Sequence, residues 1–291
     1  MILSQFNYAA PDNLSATVAI LEDADGAKIL AGGHSLLPAI KLRRASPSML
    51  VDLRKIGELR RVEFRSGNGG VRIGAMSRYA EIAAAQDFRE NYPAMAEALS
   101  SIGDAQVRNW GTIGGNLAYN DPAADLPAAV LAVEATINTV GPNGTRTVPA
   151  EAFIVGPYET DLERAEIITS VDFPTRTART GSAYEKFRNP ANSYAICGIA
   201  AEVTTTVDGT IERCRVAVTG AAEHASRLRA VESALEGKKP TARNIAAAAE
   251  RVAQGLAFVT DLFASGEYRA HLASVLTQRA ITRAAERAKL G

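Results

Sequence analysis

Ala31-Gly32-Gly33-His34-Ser35-Leu36-Leu37-Pro38 is the stretch on which the reading of this chain turns. It leaves an apolar run, Lys28-Ile29-Leu30-Ala31, that reads as a buried strand. It enters a short helical pattern over 35–43, with Pro38 tolerated in the first turn. Glycines between a strand and a helix let the backbone approach an anion closely, because no Cβ intervenes. The N–H groups freed there can then face a phosphate. A second pair follows the same logic in Thr112-Ile113-Gly114-Gly115-Asn116, where hydroxyl and amide side chains flank the glycines. One such pair reads as readily as a plain turn. Two, each flanked by small polar residues, are better explained by a shared pyrophosphate. Neither carries the G-x-G-x-x-G of a Rossmann site or the G-x-x-x-x-G-K-[ST] of a P-loop. A dinucleotide held by two separate glycine loops is the reading left.

Working outward, a helix over 14–21 and a strand over 49–53 complete βαβ-like material, parallel strands covered by helices. Next come a hairpin over 59–65 and 71–76 with its turn at 67–70, then a helix to residue 86 with Ser77 as its N-cap. Helices are expected over 93–101 and 124–133, a hairpin over 135–148, and a strand over 167–173 closed by Pro174. Residues 175–181 are polar and without period, and mark the expected domain boundary. Beyond it, strands over 183–188, 196–207 and 211–219 precede helices over 225–235, 241–253 and 268–290. The expected class is α+β. Domain one covers 1–176, with a βαβ-like part at 1–55 and a mixed part at 56–176. Domain two, 177–291, is an antiparallel sheet with helices.

The composition narrows the function. With 291 residues and 47% hydrophobic content, the chain can bury two cores. Lys+Arg and Asp+Glu balance at 32 each, which leaves no electrostatic footprint for nucleic acid. No stretch approaches a membrane span, and the first residues show no leader pattern, so a cytoplasmic protein is expected. Cys197 and Cys214 are far apart and lack metal spacing, so they read as buried thiols, and no metal site is expected on this chain. Trp110 reads as packing. No nucleophile–base pair or carboxylate dyad stands out, which fits a chain whose cofactor does the redox chemistry.

AGGHSLLPAIKLR (31–43), TIGGNLAYNDPAADLPA (112–128), YEKF (184–187) and EYRAHLASVLTQRA (267–280) together resemble the FAD-binding medium subunit of molybdenum hydroxylases, aerobic carbon monoxide dehydrogenases in particular. The resemblance spans most of the chain. It implies a two-part FAD-binding domain of the PCMH type, similar to vanillyl-alcohol oxidase, ahead of the C-terminal domain. It places Ala31, Gly32, Gly33, His34, Ser35, Leu36, Leu37 and Pro38 in one pyrophosphate loop and Thr112, Gly114, Gly115 and Asn116 in the other. Asp125 matches a carboxylate at the cofactor's polar groups, and Lys186 a lysine near the flavin's polar edge. Ile168 matches an apolar position beside the flavin, and Tyr194 a tyrosine against its ring. Ile102 stands at a contact position that is aromatic in some relatives. Relatives often carry extra basic residues and an Asp where this chain has 188–193.

Each residue has a plainer reading. Asp125 can cap its helix, Lys186 can be a solvated strand residue, and Tyr194 can be core. His34 also matches the Gly-Gly-His-Ser loop of oxidases resembling berberine bridge enzyme, which bond flavin covalently; their much longer chains favour noncovalent FAD here. The resemblance further implies an iron–sulfur small subunit with two [2Fe–2S] clusters and a molybdopterin large subunit, assembled as a dimer of heterotrimers. The alternatives are a standalone flavin oxidase or reductase and a noncatalytic dinucleotide-binding module.

Overall fold

A computed structural model describes residues 3, 5–64 and 70–290. The chain opens with β1 (Asn7–Ala9), α1 (Leu14–Asp23), β2 (Ala27–Leu30), α2 (Leu36–Lys41) and β3 (Met49–Asp52). The three strands lie parallel in the order β1-β3-β2, as the βαβ reading requires. The strand β1 was not expected, because Asn7-Tyr8-Ala9 has no apolar run. Asn13 starts α1 by accepting the Ala16 N–H at 2.8 Å. The helix α2 is shorter than its pattern over 35–43, and Arg43 follows it in a left-handed conformation, φ 57°.

The middle part begins with a hairpin of β4 (Val62–Phe64) and β5 (Val71–Gly74). The turn expected at 67–70 lies, except for Gly70, outside the described residues. Six helices follow: α3 (Tyr79–Ala84), α4 (Gln86–Asn91), α5 (Pro93–Ser101), α6 (Ala105–Trp110), α7 (Ile113–Tyr119) and α8 (Asp125–Ala132). Ser77 is not the cap of α3. Arg78 holds that position, the Glu81 carboxylate accepts its N–H at 3.1 Å, and the buried Ser77 hydroxyl has no partner among the described residues. The helix expected through residue 86 breaks at the extended Ala85, so α4 starts anew. Then come β6 (Thr136–Gly141), β7 (Gly144–Pro149), α9 (Ala150–Phe153), β8 (Ile154–Gly156), β9 (Glu159–Thr160) and β10 (Ile167–Phe173). The larger sheet here has the order β4-β5-β10-β6-β7, and α7 and α8 pack in its core with Phe88, Phe153 and Phe173.

The C-terminal part is an antiparallel sheet of β11 (Thr180–Arg188), β12 (Ala195–Thr205), β13 (Ile211–Thr219) and β14 (Ser226–Arg227) in that order. It carries α10 (Arg229–Leu235), α11 (Ala242–Ala249) and α12 (Gly266–Leu290). The helix expected over 225–235 begins instead as β14, because Ser226 and Arg227 pair with Val218 and Ala217. Every residue of β12 is buried, so both faces of the sheet are covered. On one side α12 packs through the fully buried Ala273, Ala280, Ala284 and Ala288. It comes so close that a Cβ on Gly181 would collide with the Ala284 carbonyl oxygen. The other side meets the N-terminal half of the molecule, where Thr219 donates its hydroxyl to Ala124 O at 2.7 Å; Glu97 on α5 also pairs with Arg283 and Arg287 on α12. Cys197 and Cys214 are buried free thiols, and burial pushes the Cys197 thiol up to about 12. Among the described residues no helix is long and apolar enough to cross a membrane.

Candidate cofactor site

The first glycine motif turns out of β2 at Gly33, whose φ of 76° suits glycine. The chain then closes into α2 through Leu37 N–H to Gly33 O at 3.0 Å and Ala39 N–H to Ser35 O at 3.1 Å. Among the described residues the backbone N–H groups of Gly33, His34, Ser35 and Leu36 have no partner. Ser35 stands at the N-cap without a side-chain cap bond. The His34 ring is exposed, with Nδ1 2.9 Å from Gly32 O. Leu36 and Leu37 pack on the small cluster of Leu30, Ile40 and Leu50, while Pro38 faces solvent.

The second motif is not a loop. Gly114 and Gly115 lie in the first turn of α7, which Thr112 caps by accepting Gly115 N–H at 3.2 Å. The other N–H groups there are taken too: Ile113 donates to Ser77 O, Gly114 to Ala75 O and Asn116 to Thr112 O. Gly114 is needed for packing, since a Cβ would stand 2.5 Å from the Ala75 Cβ. What this motif offers a ligand is side chains. Asn116 donates Nδ2 to the Tyr79 hydroxyl at 3.1 Å, and its buried Oδ1 has no partner among the described residues. An orphaned buried acceptor costs stability unless a ligand or water meets it.

The two motifs lie side by side. A Cβ on Gly115 would sit 3.4 Å from the Ala31 Cβ, and one on Gly32 would collide with the Trp110 carbonyl. The open N–H groups of the first wall fit the phosphates of a dinucleotide, and the amide oxygen of the second, an acceptor, fits a hydroxyl of the same ligand. Tyr79, absent from the sequence reading, underlies the second wall: its buried ring fills the space that a Cβ on Gly111 would take. Trp110 is 55% exposed, and the Arg78 guanidinium stands 5.6 Å from its ring centroid, so it is not core.

Farther along, β11 and α8 meet. Lys186 Nζ lies 2.8 Å from each Asp125 oxygen, and the Tyr184 hydroxyl donates to Asp125 Oδ1 at 2.5 Å. Asp125 begins α8, yet its carboxylate serves these two side chains and not a cap. The Lys186 side chain is 6% exposed, so the solvated-strand reading fails. Its ammonium also donates to Ser101 O at 3.2 Å, next to the half-buried Ile102. Burial raises the Asp125 carboxyl, and the Lys186 ammonium and then the Tyr184 hydroxyl pull it back. Ile168 is 5% exposed on β10 and packs in the core beneath α7.

Tyr194 is 41% exposed at the entrance of β12, so it is not core. The turn before it is fixed by Asn189 N–H to Tyr194 O at 2.8 Å and by Ser193 at φ 63°. Burial, then Asp121, Tyr119 and Tyr158, push the Tyr194 hydroxyl up to about 12, which groups it with a tyrosine cluster the sequence reading missed. Tyr119 and Tyr158 pack edge to face, centroids 5.3 Å apart. Tyr119 stands inside the quoted stretch at 112–128 and so was within reach; Tyr158 had no local signal.

Comparison with known proteins agrees with this architecture. Residues 4–176 match the FAD binding domain in molybdopterin dehydrogenase, and residues 182–284 match the CO dehydrogenase flavoprotein C-terminal domain. The carbon monoxide dehydrogenase medium chain of Hydrogenophaga pseudoflava is 39% identical, covering 98% of each chain. The nicotine 6-hydroxylase medium subunit of Paenarthrobacter nicotinovorans is 35% identical, covering 99% of this chain and 100% of its own. The solved carbon monoxide dehydrogenase from Hydrogenophaga pseudoflava superposes with a TM-score of 0.93 at 40% identity, covering 99% of each chain. Quinoline 2-oxidoreductase from Pseudomonas putida 86 superposes at 0.92 with 32% identity and 99% coverage of each. The chain belongs to the FAD-binding medium subunits of the molybdenum hydroxylases, oxidoreductases assembled from several chains.

Proposed function

We propose that this chain binds FAD noncovalently and passes electrons from the iron–sulfur clusters of a partner chain to an external acceptor, within a carbon monoxide dehydrogenase-like molybdenum enzyme. The observation that supports the reading is the run of N–H groups from Gly33 to Leu36, without a partner among the described residues and so open to phosphate oxygens. The segment from Ala31 to Pro38 takes one side of the pyrophosphate. Thr112, Gly114, Gly115 and Asn116 take the other, the glycines keeping the wall low and the side chains supplying the polar contacts. Asp125 and Lys186 hold the cofactor's polar edge, with Ile102 behind Lys186. Tyr194 covers the ring, and Ile168 supports the apolar side. When bound, FAD supplies the chemistry of accepting single electrons and releasing two. The protein's part is binding, orientation and the local field.

The proposed domains run over 1–176 and 177–291, and the proposed setting is the cytoplasm. The partners are an iron–sulfur small subunit and a molybdopterin large subunit. Holding a cluster at fixed range needs a specific interface, commonly about 1,600 Å² or more. The heterotrimer is doubled by a two-fold axis, the commonest closed symmetry. The test is co-expression of the three chains with measurement of mass, molybdenum, iron and flavin. A stable complex with one FAD per copy of this chain is expected. A chain that stays alone beside both partners and turns over a substrate with its own FAD would overturn the reading.

A further inference from the structure

We propose that Tyr184 is a positioning residue of the flavin site: through Asp125 it sets the charge that Lys186 offers the cofactor. The proposal rests on the cofactor reading above. Tyr184 and Lys186 stand two residues apart on β11, so they share a face. Both reach the Asp125 carboxylate, and all three side chains are buried or nearly so. In such a place each hydrogen bond counts for more than in water, and an unmatched charge is expensive.

The hydroxyl is specifically accommodated. Gly198 lies opposite Lys186 on β12, and a Cβ there would collide with the Tyr184 hydroxyl oxygen. The rest of the tyrosine is clamped independently. Its N–H donates to the Glu97 carboxylate at 2.8 Å, Glu97 pairs with Arg283 and Arg287, and Arg283 also pairs with Glu185. The ring and backbone therefore stay in place if the hydroxyl alone is removed.

The ammonium of Lys186 has three N–H donors. Both Asp125 oxygens, at 2.8 Å, and Ser101 O, at 3.2 Å, lie within its reach. While Tyr184 occupies Oδ1, the carboxylate charge is divided between a neutral donor and the ammonium. Without the hydroxyl, Asp125 either closes more tightly on Lys186 or takes up a proton, and each changes the field at the cofactor. The other ionisable groups facing this pair do not compete for that proton. Tyr79 from α3, Cys197 from β12 and Tyr194 before it are all raised by burial, and Glu97 from α5 is locked to arginines of α12. Removing the hydroxyl lets the Asp125 carboxyl rise further, so its protonation enters from the acid side as pH falls.

The experiment uses the FAD-loaded complex and records the flavin absorption spectrum and midpoint potential against pH. Tyr184→Phe is expected to keep one FAD per chain and to gain one single-proton step that the wild type lacks. Asp125→Asn should remove that step, and in its background Tyr184→Phe should change neither spectrum nor potential. A Tyr184→Phe profile superimposable on wild type overturns the proposal, as does an equal effect in the Asp125→Asn background. Loss of FAD in Tyr184→Phe but not in Asp125→Asn overturns it too, because the hydroxyl would then serve the fold. A wild-type chain without FAD overturns the cofactor reading itself.

Discussion

The two glycine motifs share letters and differ in physics. At 31–36 the chain leaves a strand, Gly33 adopts a left-handed turn, and among the described residues four successive N–H groups stay open. At 112–116 the same kind of pair is wound into a capped helix whose N–H groups are bonded within the protein. The first motif is a backbone nest for an anion. The second is a packing device that brings two side chains to the same place. Glycine at a cofactor site thus means two things, room for a ligand to meet backbone and room for backbone to meet backbone, and only the contacts around each one tell them apart.

Gly32→Val is the sharpest way to break the pair. Its Cβ would collide with the Trp110 carbonyl and press on Gly111, both backbone, so neither can swing aside. The cost is expected at about 3 kcal/mol or more, which lowers the Tm of the FAD-free chain by roughly 6 to 12 °C. FAD binding should fail with it, because the two walls separate. An unchanged melting curve would mean that the motifs are not packed together as described.

Gly115→Val should act on the ligand and disturb the fold less than Gly32→Val does. Its Cβ would meet Thr112 Oγ1 at 2.8 Å and Ala31 Cβ at 3.4 Å, inside the seam assigned to the pyrophosphate. Within a helix, valine is no worse than glycine, but the Thr112 cap must give way, so FAD-free stability should fall by about 0.5–2 kcal/mol. Overpacking of roughly 1–3 kcal/mol at the seam corresponds to about one to two decades of FAD affinity, measurable by flavin titration. Wild-type affinity in this variant would remove Gly115 from the cofactor's path.

The contrast also explains what could be read in advance. The strand, turn and helix from Ala27 to Lys41 announced themselves through an apolar run that ends in glycine, and the C-terminal strands through long apolar stretches. The helices α6 and α7 did not. Ala-Gln-Val-Arg-Asn-Trp has no buried residue, and Ile-Gly-Gly-Asn is a poor helix former. The Thr112 cap and the fit of Gly114 against Ala75 make α7 a helix, and the second of these is a contact across the fold. At the site, Asp125 and Lys186 were legible through the family pattern. Tyr184 stands in the same quoted motif as Lys186, but its role was not legible, because its hydroxyl finds its partner 59 residues away.

His34→Ala is expected to have the smallest effect, and it decides whether the first motif works by backbone alone. The His34 ring faces solvent, and Nδ1 lies 2.9 Å from Gly32 O. A carbonyl only accepts, so Nδ1 carries the hydrogen and the ring braces its own loop. An exposed neutral bond of this kind is worth about 0.5–1.5 kcal/mol, so FAD affinity should stay within roughly tenfold of wild type. Acid precipitation of the wild-type holoprotein should leave a colourless pellet and a yellow supernatant, as noncovalent binding requires. A pellet that stays yellow in the wild type and loses its colour in His34→Ala would make the histidine a covalent anchor. The first motif would then hold the cofactor by a side chain, as the second is argued to do, and the contrast between them would lie only in which atoms the glycines leave uncovered.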